Sequence, residues 1–255
     1  MTEALRQGKP ADVNPRRTVT QAVILAGGLG TRMRPITETI PKPMIPVAGK
    51  PFLQHQLELL SGFRIHDVLL LVAFRGKQME DHFGDGAALR CHITYVHEPS
   101  PLGTGGALQH ARSHLRDSFV LLNGDTYLAI DYEALLAKFA ALDCMALIVA
   151  YKKPSEGVRR VLADSLPNNL IVLDGGRVSA YRKRDPKGMT HIDAGVVVLG
   201  KEVIDWLPEG RPCSLEEEIY PRLIAEGQMS AWVTAEPFHD MGSPEGLVAL
   251  EEKLQ

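Results

Sequence analysis

The apolar run Ala22-Val23-Ile24-Leu25-Ala26 empties directly into Gly27-Gly28-Leu29-Gly30-Thr31-Arg32, and Pro41-Lys42-Pro43 follows shortly after. A short apolar run bounded by glycines has the pattern of a buried parallel strand. Glycines at its end let backbone N–H groups close around an anion. Arg32, with a planar fork of donors, and Lys42, a point charge, add the positive charge a polyphosphate needs. A Gly-rich loop after a strand also occurs in dinucleotide-binding folds, kinases and plain turns, so the rest of the chain decides what this one does.

From Thr20 onward, apolar runs alternate with helical patterns. Strands are expected near 22–26, 67–73, 91–96 and 118–122, and helices near 51–61, 76–83 and 104–115. This rhythm builds a mostly parallel sheet with helices on both faces. Gly62 and Gly84 sit where helix C-caps belong, Asp131 can cap a helix through about 142, and Ser214 with Glu217 reads as a capping box. The second half is richer in strands, near 144–151, 169–173, 177–182, 192–199 and 230–234, with an antiparallel hairpin at Asp174-Gly175-Gly176. Ser243-Pro244 should open a last helix. Residues 1–19 read as a mobile leader and 20–255 as one domain, with a first half at about 20–130 and a second half at about 131–255.

With 28 Lys and Arg against 31 Asp and Glu, the net charge of −3 argues against a general nucleic-acid or membrane binder. No apolar stretch is long enough to span a bilayer and the N-terminus lacks a signal-peptide core, so the expected location is the cytoplasm. Cys91, Cys144 and Cys213 lack metal-ligand spacing and are expected to be reduced thiols.

The string from Gly27 to Pro51, G-G-L-G-T-R-M-R-P-I-T with P-K-P-M-I-P-V-A-G-K-P, resembles the signature of the sugar-1-phosphate nucleotidyltransferases. These enzymes join a nucleoside triphosphate to a sugar 1-phosphate and release pyrophosphate. The resemblance implies an α/β, Rossmann-like (GT-A-like) nucleotidyltransferase fold, in which a mostly parallel mixed sheet is flanked by helices and the β-rich second half binds sugar. Arg32 and Lys42 correspond to the family's catalytic arginine and lysine. Leu25, Ala26, Gly27, Gly28, Gly30 and Thr31 would cradle the triphosphate, with Asn123 and Gly124 beside them. Asp125, directly after an apolar strand, is a candidate Mg²⁺ ligand. Phe238-His239-Asp240-Met241-Gly242-Ser243-Pro244-Glu245 looks like the family's late motif, whose Asp240 supplies the second carboxylate. His239 is expected to be a bystander.

Glu98 through Ala107 is a second Gly-rich loop that resembles the family's base and ribose loop, with Gly103, Thr104 and Gly105 against the nucleotide. A Glu98 carboxylate can accept from guanine N1–H and the 2-amino group, which favours GTP. The same residue is equally compatible with ending its strand or binding ribose. On the sugar side, relatives carry a Glu-Lys pair after a V-x-x-[FY] strand. Here Lys183 stands where the Glu would be and Arg184 where the Lys would be, so a cation is kept and an acid lost; Lys183 or Arg184 is the candidate sugar-phosphate ligand, Arg184 being favoured by spacing. Asp193, Gly195 and Glu216 are candidates to read sugar hydroxyls.

P-L-G-T-G-G-A, N-G-D-T-Y and S-L-E-E-E-I-Y-P-R-L look like the D-glycero-α-D-manno-heptose 1-phosphate guanylyltransferases, and more distantly the mannose-1-phosphate guanylyltransferases. A uridylyl- or thymidylyl-transferring relative is the alternative. The expected partners are a nucleoside triphosphate and a sugar 1-phosphate, with a homodimer left open. No hexapeptide repeat of a left-handed β-helix is seen, so no acetyltransferase module is expected. A GT-A glycosyltransferase would usually show D-x-D, which Gly124-Asp125-Thr126 lacks. A silent sugar-nucleotide sensor would not need Arg32, Lys42, Asp125 and Asp240 together.

Overall fold

The computed structural model describes residues 17–73, 75–154, 168–183 and 185–255. Most of the leader and the candidate Arg184 lie outside the described residues. In chain order, the first half contains β1 (Gln21–Leu25), the short pair β2 (Pro46–Val47) and β3 (Lys50–Pro51), α1 (Phe52–Gly62), β4 (Asp67–Val72), α2 (Gly76–Phe83), β5 (His92–His97), α3 (Gly103–His110), β6 (Ser118–Asn123) and β7 (Thr126–Tyr127). The second half contains α4 (Tyr132–Ala141), β8 (Ala146–Lys152), β9 (Asn169–Val172), β10 (Val178–Arg182), β11 (His191–Gly200), α5 (Tyr220–Ala225), β12 (Met229–Thr234), β13 (His239–Asp240) and α6 (Pro244–Leu254).

Alternation along the strands explains why helices cover both faces. Ile24, Val68, Leu70, Val120 and Leu122 join one apolar cluster with Leu53, Leu57, Tyr132 and Phe139 of α1 and α4. Val23, Leu69, Leu71, Phe119 and Leu121 point the other way, onto Ala107 and Leu108 of α3 and Leu223 of α5. A parallel strand buried on both faces has no polar side to show, hence the continuous apolar runs.

β1 is parallel to β4 on one side and to β6 on the other, and β5 extends the sheet beyond β4. The chain therefore reverses its direction of travel across the sheet at β1. A crevice opens at the carboxyl ends of strands at such a switch point. Leu25 pairs with Asn123 and Val72 with His97, so the Gly27 loop, the Gly124 turn and Glu98 all leave the same sheet edge. Beyond β6 the sheet turns antiparallel through β11, which also pairs with β8 and β9. β9 and β10 form the expected hairpin, whereas β12 runs parallel to β8.

Several local expectations need correction. Gly62 is the last residue of α1 rather than its cap: Arg64 takes the left-handed conformation, φ 59°, and Ile65 N–H closes onto the Leu60 carbonyl. Arg64 N–H bonds to Ser61, completing a Schellman arrangement that a buried Leu60 and Ile65 reinforce. The helix expected over 104–115 ends at His110 and continues as a separate tight turn, Arg112–His114. The Ser214–Glu217 capping box does not form; the Ser214 hydroxyl turns to Glu216, and Leu215–Ile219 is a wide π-type turn leading into α5. Arg17 belongs to the folded part: its guanidinium bonds to the carbonyls of Leu142 and Cys144 beyond the end of α4. Asp131 and Ser243 do cap their helices, accepting from Ala134 N–H at 2.9 Å and Gly246 N–H at 3.1 Å.

Candidate active site

The switch-point crevice is a cleft of about 370 Å³, within the size range of small-ligand sites. Its walls include Leu25, Ala26, Gly27, Gly28, Lys42, Glu98, Gly103, Thr104, Asn123, Gly124, Asp125 and Glu216, all anticipated individually from the sequence, together with Leu29, Pro43, Pro101 and Ala107, which belong to the anticipated loops and the P-K-P segment. Gly30, Thr31, Arg32, Gly105, Lys183, Asp193, Gly195 and Asp240 do not line this cleft directly.

Lys42 is 7% exposed, an unusual burial for a lysine. The segment flanking it is stiffened by Pro41 and Pro43, and its ammonium lies 2.6 Å from Asp125 Oδ2 and 4.0 Å from Asp240 Oδ1. Asp240 reaches this point through the two-residue ladder of β13 on β7, where it pairs with Thr126, and Met241 N–H bonds to the Asp125 carbonyl. The ladder is held from outside by an apolar group of Val47, Phe52, Met241 and Leu250, which docks α6 against the β2–β3 pair. Gln56, buried in α1, donates to the carbonyls of Asn123 and Thr126 and so fixes the turn carrying Asp125. Its role was not legible because an amide inside a helical pattern carries no mark of its partners.

Burial, and then repulsion from Asp125, push the Asp240 carboxyl above its ordinary value; Lys42, the Gly242 N–H and Arg32 pull it back. One buried ammonium thus faces two carboxylates. Among the described residues there is no group of three or more His, Cys, Asp or Glu side chains placed to hold a metal. Asp125 and Asp240 could supply two oxygen ligands, with phosphate oxygens and water completing an octahedron of the kind Mg²⁺ takes. Arg32 is exposed, at the rim beside Gly242.

Glu98 is half-buried, and burial raises its carboxyl above the usual range. One oxygen accepts from Leu102 N–H at 3.0 Å, and the other abuts Gly27, where an added Cβ would come within 2.3 Å. The glycines of the second loop serve packing: an added Cβ on Gly103, φ +72°, would meet the Cys213 carbonyl at 2.5 Å. The same carbonyl accepts from the N–H groups of Gly105 and Gly106, which occupies part of the start of α3 internally.

Asp193 lies beside a side cavity of about 10 Å³, room for about one water and not for a sugar. Its oxygens accept from the Tyr181 hydroxyl at 2.8 Å and from Gly195 N–H at 2.9 Å, across the bulge that Gly195 makes with φ +76°. Burial pushes its carboxyl up to about 6. The folded state therefore holds this proton at pH values where the unfolded chain has released it, so this group's contribution to stability falls as pH rises from about 4 to about 6. Asp193→Asn, whose amide oxygen can still accept from Gly195, should gain stability relative to the parent protein across that window. Denaturation midpoints at several pH values check this; a difference between the two proteins that does not change with pH would contradict it.

Burial raises the thiols of Cys91, Cys144 and Cys213, as expected for inert packing residues. No helix among the described residues is long and apolar enough to cross a membrane.

The family described as nucleotidyl transferase matches residues 21–161. The chain belongs to that family. It is 36% identical over 233 residues to the mannose-1-phosphate guanylyltransferase of Mycobacterium tuberculosis, covering 89% of this chain and 62% of that protein. It is 30% identical over 222 residues to the UTP--glucose-1-phosphate uridylyltransferase of Synechocystis, covering 81% of this chain and 56% of that one. The chain thus spans less than two thirds of the length of these relatives. The crystal structure of HddC from Yersinia pseudotuberculosis complexed with GMP-PN superposes with a TM-score of 0.78 at 28% identity, covering 93% of this chain and all of that one. The mostly parallel, helix-flanked mixed sheet expected from the sequence is the family's architecture.

Proposed function

We propose that this protein joins a sugar 1-phosphate to a nucleoside triphosphate, releasing pyrophosphate, with GTP as the nucleotide and D-glycero-α-D-manno-heptose 1-phosphate as the sugar. Mannose 1-phosphate is the alternative acceptor. The observation that carries the reading is Lys42 buried between Asp125 and Asp240 at a cleft that Gly27, Gly28 and Glu98 also line. A sugar phosphate oxygen attacks the α-phosphorus; the new P–O bond forms as the bond to the β-phosphate breaks. A phosphate monoester with its second pKa near ~6 is already largely dianionic at neutral pH, so no general base is needed. The task left to the protein is to bring two anions together and hold them in line.

Lys42 supplies a desolvated positive charge to the phosphates, Arg32 at the rim suits the β- and γ-phosphates and the departing pyrophosphate, and the glycine loop offers backbone donors. Asp125 and Asp240 would hold Mg²⁺, which neutralises phosphate charge when bound.

HddC, of similar structure, is complexed with GMP-PN, and the Mycobacterium tuberculosis relative is a guanylyltransferase, which supports guanine; the Synechocystis relative keeps uridylyl transfer as the competitor. Pyrophosphate release from five triphosphates against heptose, mannose and glucose 1-phosphates tests the reading, and no release with any pair would overturn it. If Glu98 accepts from guanine, Glu98→Gln should lower kcat/KM for GTP by about one to two orders of magnitude, the equivalent of roughly 1.5–3 kcal/mol for charge-assisted bonds. Use of UTP should fall less. An unchanged GTP to UTP ratio would leave Glu98 as the cap of Leu102 only.

A further inference from the structure

Glu216 bridges α3 and the residue after β10. It lines both the main cleft and the small cavity that contains Asp193. Its side chain is 13% exposed, and its charge helps to raise the Asp193 carboxyl. Oε2 accepts from the Thr104 hydroxyl at 2.8 Å and from the Ser214 hydroxyl, with the Lys183 ammonium at 3.7 Å. Thr104 in turn accepts from Leu215 N–H at 2.9 Å, so α3 is bonded twice to the π-type turn. Lys183, just past the end of β10, is also held by Ser214 at 3.3 Å and by Glu217 at 3.4 Å. A wide turn of this type is uncommon and concentrates at functional sites. Here it sets one carboxylate between α3 and the residue after β10, within a turn that both also touch through Leu215, Ser214 and Glu217.

We propose that Glu216 is a positioning residue that couples the nucleotide cleft to the sugar side of the site, through Thr104 to α3 and through Lys183 to the end of β10. Nucleotide bound against α3, or sugar phosphate bound beside Lys183, fixes the shared carboxylate, so the second ligand meets a network already ordered and binds more tightly. Linkage requires the effect to be reciprocal, and couplings of this kind typically amount to about 5- to 150-fold in affinity. Lys183 then acts less as a free phosphate ligand than as the tie between the sugar-side strand and the turn.

The inference rests on the proposed substrates, and the test separates the two. The probes are a GTP analogue with a methylene between the α- and β-phosphorus, and whichever sugar 1-phosphate supports pyrophosphate release in the screen above. Calorimetric affinity of the analogue is measured with and without the sugar phosphate, and the reverse. The parent protein should show at least about fivefold mutual tightening. Thr104→Val should weaken sugar-phosphate binding in the presence of the analogue, although Thr104 lines the nucleotide cleft, and bring the tightening close to onefold. Thr104→Ser, which keeps the hydroxyl, should restore it.

Lys183→Met should lower analogue affinity in the presence of sugar phosphate, although Lys183 lies outside the cleft. Independent binding of the two ligands by an active parent protein would overturn the coupling while leaving the reaction intact. Full tightening in both Thr104→Val and Lys183→Met would overturn the route through Glu216. Absence of pyrophosphate release would instead remove the reaction itself.

Discussion

Asp240→Asn is expected to lower turnover by roughly two to three orders of magnitude while changing triphosphate affinity much less. The substitution is nearly isosteric. The Gly242 N–H that bonds to Asp240 Oδ1 at 2.7 Å can bond to an amide oxygen instead, so the short β13–β7 ladder should persist. What disappears is one of the two negative charges facing Lys42. If the pair holds a divalent cation, its loss removes charge stabilisation worth several kcal/mol, most of it realised as the phosphorus is transferred. The decisive measurements are kcat and KM for each substrate, with Mn²⁺ affinity of the enzyme–nucleotide complex as an independent readout. A variant with near-parent turnover and unchanged Mn²⁺ affinity would remove Asp240 from the metal assignment. Asp125→Asn should behave similarly, and its Lys42 contact should weaken as well.

The parts of this molecule that were legible in advance are those whose cause is local. The apolar run of β1 and the Gly-rich loop after it place the cleft, and Asp131 and Ser243 cap their helices because a short side-chain oxygen meets N–H groups three residues on. The helix end at Arg64 was missed because a glycine nearby drew the cap, whereas hydrophobic closure by Leu60 and Ile65 fixed the register of the last turn. Ser214 and Glu217 have the spacing of a capping box, but Thr104 from a segment more than a hundred residues away competes for the same turn, and tertiary bonding wins.

The meeting of Asp125 with Asp240 could not be read from periodicity at all. Strands of two residues carry no alternation, and their pairing depends on the docking of α6 through Met241 and Leu250. Only the resemblance of the late motif brought Asp240 forward. The sugar side was least legible for the same reason: Asp193 looked like an available carboxylate, and its two bonds, to Tyr181 and Gly195, depend on a hairpin and a bulge.

Lys42→Ala should also cost roughly two to three orders of magnitude in kcat, for a different reason, and Arg32→Ala should not match it. The Lys42 side chain is 8% exposed and directed at the carboxylates, so its charge acts in a poorly screened place. Losing one fixed, buried donor to a developing phosphoryl charge typically costs about 10²–10³ in rate. Arg32 is exposed at the rim, where water screens it, so the larger share of its defect should fall on triphosphate binding or pyrophosphate departure. The two carboxylates now repel one another without the ammonium between them, and a small divalent cation is the simplest remedy. Lys42→Ala is therefore expected to bind Mn²⁺ more tightly than the parent protein in the absence of nucleotide, even as it transfers the nucleotidyl group slowly. That opposition of the two readouts separates a charge acting at the reacting phosphates from a lysine that only holds the fold together. A variant that is equally active, or one that loses Mn²⁺ binding in step with its melting temperature, would place Lys42 among the structural residues.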